Sequence, residues 1–353
     1  MIRGMLNERK LPALAENVRT ADEWRIRRRE LIDMLSREEY GCTPAAPACV
    51  RATVRSEEDM FGGKAVQSVV EIAFDTPGGE FMFPVTMLVP KKPGRHPAFV
   101  QVAFRPDVPD KYLPAEEIID NGFAVANFFY KDVTDDSPKA DGIAALYPRD
   151  EKTGWGKIGM WAFAASRVMD YLETRADIDI SRVCMSGHSR LGKTALWCAA
   201  QDERFAMVVS NDSGCSGASI SRGKIGETID AITDPERFDY WFCGNYRAWA
   251  GREYEAPFDQ HMLLALIAPR RLYVSSAVED EWADPTGEFL GCAAADEAWK
   301  LLRCPGLIAP DALPQTDAPL HAGGIGYHVR TGGHFFSRTD WVWQMEYRRR
   351  HGV

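Results

Sequence analysis

The sequence has no pair of cysteines at CxxC spacing. Its eight cysteines, Cys42, Cys49, Cys184, Cys198, Cys215, Cys243, Cys292 and Cys304, are scattered. That counts against zinc-ribbon and thioredoxin-like classes, which need two thiols on one turn. An even count in so long a chain does not imply disulfides. Cys184 falls in an apolar strand and Cys198 in a helix, where a buried free thiol is expected. No run approaches the roughly 18 apolar residues of a membrane span. The first ten residues, Met1 to Lys10, lack the apolar core of a secretion signal, so the expected location is cytoplasmic. Basic excess is missing too: 42 Lys and Arg stand against 51 Asp and Glu, a net charge of −9. A nucleic-acid binder needs the opposite balance. Two arginine clusters, Arg25-Ile26-Arg27-Arg28-Arg29 and Arg348-Arg349-Arg350, are expected to be solvated helix faces or charges at a helix C-terminus.

What is present is ordinary soluble-globular material. Hydrophobic residues make up 45% of 353 positions, enough for a large core. Helical spacing over Asp22–Leu35 follows a cap at Thr20 or Asp22. Strand-like stretches follow at Val50–Val54, Val66–Phe74 and Phe81–Val89, the last two flanking Asp75-Thr76-Pro77-Gly78-Gly79, a hairpin loop. From Ala98 the character changes. Strands at Ala98–Phe104, Phe123–Tyr130, Val183–Ser186, Phe205–Ser210, Leu272–Ala277 and Ile325–Val329 alternate with helices near Leu113–Asn121, Trp155–Glu173, Leu191–Gln201, Gly287–Leu302 and Asp340–Arg349. Such alternation predicts parallel βαβ units with helices on both faces of the sheet. Cys215–Pro257 breaks it. This segment, rich in Trp and Tyr, reads either as a wall or lid over a site or as an aromatic satellite core.

One motif carries chemistry: Val183-Cys184-Met185-Ser186-Gly187-His188-Ser189-Arg190-Leu191-Gly192-Lys193. A strand ends, a sharp turn holds Ser189 and a helix begins, the context of a nucleophile elbow. Leu191 stands at the second glycine position of GxSxG, and Gly192 follows one residue later. A serine needs a base to take its proton and an acid to orient that base, in the chain order Ser, acid, His. Of seven histidines, His334 follows Gly332-Gly333 directly after the last strand, where the base belongs. Two acids compete, Asp280 in Val278-Glu279-Asp280-Glu281-Trp282 and Asp212 in Asn211-Asp212-Ser213-Gly214. Both loops are expected at the same sheet edge. The backbone N–H of Arg190 and a donor near Phe104-Arg105 would form the oxyanion hole. The Arg190 side chain would add positive charge beside the nucleophile.

These residues resemble a known family. Gly187-His188-Ser189-Arg190-Leu191-Gly192-Lys193, Asn211-Asp212-Ser213-Gly214, Gly226-Glu227-Thr228, Asp259-Gln260-His261 through Ala268-Pro269-Arg270, and Glu279-Asp280-Glu281-Trp282-Ala283-Asp284-Pro285 look like the glucuronoyl esterases of carbohydrate esterase family 15. The resemblance runs from about Trp155 to His334. It implies Ser189 as nucleophile, Arg190 as oxyanion support, an acid at Asp212 or Asp280, His334 as base, and Lys193, Glu227 and Trp282 as sugar-binding residues. It also carries departures. Fungal members have disulfide-bonded cysteines where this chain has His188 and Phe335. Asp234-Pro235-Glu236-Arg237-Phe238 differs where the family often has a sugar-contacting glutamine.

Together these readings predict a three-layer α/β-hydrolase sandwich with a mixed, mostly parallel central sheet, all 353 residues forming one catalytic domain. Residues 1–95 supply a helix and antiparallel strands, and 215–257 a substrate-wall insertion. The expected activity is hydrolysis of esters of (4-O-methyl-)glucuronic acid in glucuronoxylan or lignin–carbohydrate fragments through an acyl-enzyme, on a small-molecule or oligosaccharide substrate. No metal or organic cofactor, nucleic acid or membrane is expected as partner, and the oligomeric state stays open. An acetylxylan esterase or other carbohydrate deacetylase is the alternative enzyme. A non-catalytic carbohydrate-binding relative is the alternative of another class.

Overall fold

The computed structural model describes Met1 to Val353. It opens on two helices: α1 (Ile2–Arg9), which the sequence patterns did not indicate, and α2 (Ala21–Leu35). Thr20 caps α2. Its hydroxyl accepts from the Glu23 amide, and the Glu23 carboxylate accepts from the Thr20 amide, a reciprocal capping box. An antiparallel meander follows: β1 (Val50–Met60), β2 (Ala65–Thr76) and β3 (Gly79–Pro90). Pro77-Gly78 makes the turn between the last two.

The rest alternates strand and helix: β4 (His96–Ala103), α3 (Ala115–Asp120), β5 (Ala124–Phe129), α4 (Tyr130–Val133), α5 (Lys157–Leu172), β6 (Ile178–His188), α6 (Arg190–Gln201), β7 (Met207–Asn211), α7 (Ile229–Ile232), α8 (Gln260–Ala265), β8 (Arg271–Ala277), α9 (Pro285–Leu301), β9 (Ile325–Arg330) and α10 (Arg338–His351). All nine strands form one sheet in the order β1-β2-β3-β5-β4-β6-β7-β8-β9. β4 to β9 run parallel, and β3 joins β5 antiparallel. Sandwiched strands need apolar residues on both faces, so they read as continuous hydrophobic runs. In β7, Val208 joins the core beneath α5, α6 and α9, while Val209 joins the smaller core beneath α3 and α10. This is the three-layer α/β-hydrolase arrangement. No helix is long and apolar enough to cross a membrane.

The arginine clusters need correction. Arg28 is buried, and its guanidinium donates to the carbonyls of Leu266 (3.1 Å) and Ala200 (2.6 Å). Arg348 is fully buried and donates to the Ala98 carbonyl (3.1 Å) and to that of Arg182. A guanidinium carries five donors in a rigid fork, so one side chain can satisfy several strand-end and helix-end carbonyls that would otherwise lack partners. These two arginines staple the layers together; Arg25, Arg29, Arg349 and Arg350 remain exposed.

Parallel strands bring their C-terminal ends to one edge. His188, Asn211, Ala277 and Arg330 end β6, β7, β8 and β9. Ser189, Asp212, Asp280 and His334 therefore emerge from adjacent loops at that edge, where open α/β sheets bind ligands.

Candidate active site

Ser189 stands between β6 and α6 with φ 59° and ψ −132°, a conformation that L-residues adopt only when the surroundings enforce it. Gly187 makes the turn possible: a Cβ there would lie 2.0 Å from the Leu191 carbonyl oxygen. The Ser189 amide donates to the Asn211 carbonyl at 2.8 Å, fixing the turn to β7. Arg190 is the first residue of α6, so its N–H has no carbonyl within the helix to bond. A free N–H on the residue after a nucleophilic serine is a usual oxyanion-hole donor.

His334 and Asp280 meet: Nδ1 of His334 lies 2.6 Å from Oδ2 of Asp280. Burial alone would raise the Asp280 carboxyl, but the hydrogen bond and charge of His334 hold it below the usual carboxylate value. Asp212 is equally close at hand but differently engaged. One ligand-type atom from each of Asp212, Asp280 and His334 lies within 4.8 Å of the others, the spacing at which three such side chains could also hold a metal ion. Yet Asp212 makes no hydrogen bond to His334. Its oxygens lie 3.5 Å from the Arg330 guanidinium and 4.0 Å from the His188 ring. Burial, then the carboxylates of Glu288, Asp340 and Asp280, push the Asp212 carboxyl well above its ordinary value.

His188, beside Ser189, packs against His334 in a tilted pair with ring centroids 4.5 Å apart. Burial and the neighbouring His334 push it down to about 3, so the ring is neutral. Its Nδ1 lies 2.6 Å from Oδ1 of Asn211, which can only accept, so Nδ1 carries the proton. Tyr112 sits between His188 (5.6 Å) and Phe335 (5.0 Å). An aromatic stack thus occupies the two positions where fungal members of the resembled family carry cysteines.

The Arg190 guanidinium is held in place by an ion pair. It pairs with Asp136, a buried carboxylate that also accepts from Trp241 Nε1 at 2.7 Å and the Tyr240 hydroxyl at 3.2 Å. It lies between the rings of Trp241 (4.9 Å) and Phe104 (5.4 Å). Lys193 and Glu227 are also brought together: Nζ donates to Oε2 of Glu227 at 2.8 Å and to the Ser213 carbonyl at 2.6 Å. Trp282 is 43% exposed, so part of the indole is open to solvent. The Arg237 guanidinium lies 5.7 Å from that ring. Glu227, Arg237, Tyr240 and Trp241 all come from the segment that broke the strand–helix alternation. Asp284 is a helix cap, accepting from the Gly287 amide at 2.9 Å.

Several residues at this edge carried no local signal. Glu288 in α9 accepts from the amides of Ser213 (2.8 Å) and Gly214 (3.0 Å) and from the Ser276 hydroxyl (2.5 Å). Burial pushes it up to about 7. Asp136, Arg330 and Asp340 were missed likewise. Only a buried charge without a local partner could have flagged them, and burial is not legible one residue at a time.

The fold is that of an α/β-hydrolase, and its sheet edge carries a serine on a strained elbow and a bonded His–Asp pair on two further loops. A family profile described as glucuronyl esterase, fungi, matches residues 72–303. A glucuronoyl esterase from Solibacter usitatus superposes with a TM-score of 0.88 at 34% identity, covering 96% of this chain and 97% of that one. Carbohydrate esterase MZ0003, from an unknown prokaryotic organism, is 43% identical over 242 residues, 67% of this chain and 55% of its own length. The 4-O-methyl-glucuronoyl methylesterase of Podospora anserina is 29% identical over 294 residues, 79% of this chain and 56% of its own. The chain thus spans a little over half the length of these two curated relatives. It belongs to the glucuronoyl esterase family, carbohydrate esterase family 15, a family of carboxylic ester hydrolases.

Proposed function

We propose that this chain hydrolyses esters of glucuronic or 4-O-methylglucuronic acid, on small or oligosaccharide substrates from glucuronoxylan or lignin–carbohydrate material. The whole chain would act as one catalytic domain, with 215–257 as the substrate wall. The observation that carries the reading is the 2.6 Å contact between His334 and Asp280, with the His334 ring 4.5 Å from that of His188, the residue before a serine held at φ 59°. An acid-oriented imidazole next to a strained serine is the arrangement that activates a hydroxyl.

In this mechanism Ser189 Oγ attacks the ester carbonyl carbon as His334 takes its proton. Asp280, held ionised, balances the imidazolium. The carbonyl oxygen becomes an oxyanion against the Arg190 amide and guanidinium, the latter aimed by Asp136. A preorganised donor of this kind contributes about 3–4 kcal/mol to the transition state. His334 then protonates the leaving alcohol, and the uronoyl group stays on Ser189. Water, deprotonated by His334, attacks the acyl-enzyme; the acid leaves and Ser189 regains its proton. Trp282 would pack on the sugar ring, and the Lys193–Glu227 pair would present hydrogen-bonding groups to its hydroxyls.

The test is hydrolysis of a methyl or benzyl glucuronate ester beside an acetylated xylo-oligosaccharide, with Ser189→Ala as control. Turnover of the uronate ester, lost in the variant, supports the reading. Acetate release alone would move the assignment to a deacetylase. Tight sugar binding with neither reaction, and no labelling of Ser189 by a phosphonate, would make the chain a binding protein.

A further inference from the structure

We infer that Arg330 is a positioning residue for His334: its guanidinium holds the loop on which the histidine is mounted and supplies the counter-charge to the carboxylates behind it. The inference rests on the reading of His334 as general base.

Arg330 is the last residue of β9 and is buried. His334 lies four residues on, in a loop that turns at Gly332 (φ 107°). Short loops at a sheet edge have no ladder to hold them, so their carbonyls need another donor. Here one side chain serves three of them. NH1 donates to the Thr331 carbonyl (3.1 Å), and NH2 donates to the carbonyls of Gly333 (3.1 Å) and Phe335. The last two flank His334 directly. Nε donates to both oxygens of Asp340, at 3.1 and 2.9 Å. Asp340 is fully buried and is anchored in turn: it accepts from the Ser337 amide (2.6 Å), closing the cap of α10, and meets His328 Nε2 at 2.8 Å. The His334 loop is thus slung between the end of β9 and the start of α10, with Arg330 as the cross-link.

The same guanidinium lies 3.5 Å from Asp212, whose oxygens accept no hydrogen bond from the protein. The groups that face His334 are Asp280 from the loop after β8, Asp212 from the loop after β7, and neutral His188 from β6. Behind them stand Glu288 and Asp340, and on the rim Lys111, 5.7 Å from the Phe335 ring. Four carboxyls surround the site, and Arg330 is the guanidinium set among them.

The consequence is geometric and depends on the fork: a lysine keeps the charge but cannot reach three carbonyls and a carboxylate at once. Misplacing the base by about 1 Å costs on the order of 100-fold in rate.

Arg330→Met and Arg330→Lys in the full chain test this, with folding checked by circular dichroism and melting temperature. kcat and KM for a methyl glucuronate ester are measured, with the rate of Ser189 labelling by a fluorophosphonate alongside. The expected result for Arg330→Met is a fall of about 10- to 100-fold in kcat and labelling. KM should stay within about threefold. Arg330→Lys, which keeps the charge but not the fork, should lose kcat and labelling as well. A folded Met variant with wild-type kcat and labelling, or a loss carried by KM alone, would overturn the inference. If the Met variant does not fold, the Lys variant decides: unchanged kcat and labelling overturn it. If wild-type protein labels at Ser189 but cleaves no uronate ester, the substrate reading falls and labelling still decides Arg330. If wild-type protein does not label, both fall.

Discussion

Replacing Asp280 with asparagine should cost far more turnover than replacing Asp212, although both carboxylates converge on His334. Asp280 Oδ2 lies 2.6 Å from Nδ1, so the carboxylate both fixes the tautomer that leaves Nε2 free as base and balances the imidazolium formed during attack. In the serine-protease triad the equivalent change lowers kcat by about 10⁴. Here the His334 side chain is 41% exposed, so solvent can stabilise part of the imidazolium charge. The expected loss for Asp280→Asn is therefore smaller, about 10²- to 10³-fold, or about 3–4 kcal/mol of transition-state stabilisation. Asp212 acts only through space and is held toward its protonated form, so Asp212→Asn should lose less than about tenfold. The assay is kcat on a methyl glucuronate ester, with the double variant alongside. A larger loss in Asp212→Asn would refute the assignment drawn from the contact distance. Equal partial losses would mean that the two acids share the role.

Three further predictions concern charges whose partners lie far away in the chain. Asp136→Asn releases Arg190 from its ion pair and should lower kcat about tenfold with little change in KM, measured on the same ester. Lys193→Met leaves Glu227, only 5% exposed, as an unpaired buried carboxylate. Breaking such a pair costs about 3–5 kcal/mol, so the melting temperature should fall by roughly 10 °C, with partial recovery in the Lys193→Met/Glu227→Gln double variant. Glu39, fully buried and hydrogen-bonded to the Gln260 side chain, is pushed up to about 7 from 4.5 by burial. Because the folded state binds this proton more tightly, its stabilising share is present below about 4.5 and lost as pH rises through about 7, up to about 3 kcal/mol. Glu39→Gln should flatten the decline in stability across that window in denaturant titrations; an unchanged slope would show that Glu39 is not its source.

Local pattern was sufficient for most of the backbone. Alternating apolar runs and helical spacing marked the parallel strands, because a strand buried on both faces must be apolar throughout. Gly187 before Ser189 marked the elbow, because a Cβ there would strike Leu191. Gly332-Gly333 after the last strand marked His334. The helix α1 was not legible: eight residues with a single buried side chain carry too little periodicity to stand out. Nor was the burial of Arg28 and Arg348, since an arginine stapling carbonyls looks the same in sequence as one in water.

Which acid serves His334 was likewise beyond sequence alone. Asp212 and Asp280 both follow strands that end at the right edge, and only the paths of their loops separate a 2.6 Å hydrogen bond from a through-space neighbour. The partners of Arg190 and Lys193 lie 54 and 34 residues away, and no periodicity reaches that far. Residue spacing encodes which backbone conformations a segment can adopt and which face it buries. Pairing between distant charges is decided only when the sheet order sets those segments side by side and burial makes every unpaired charge costly.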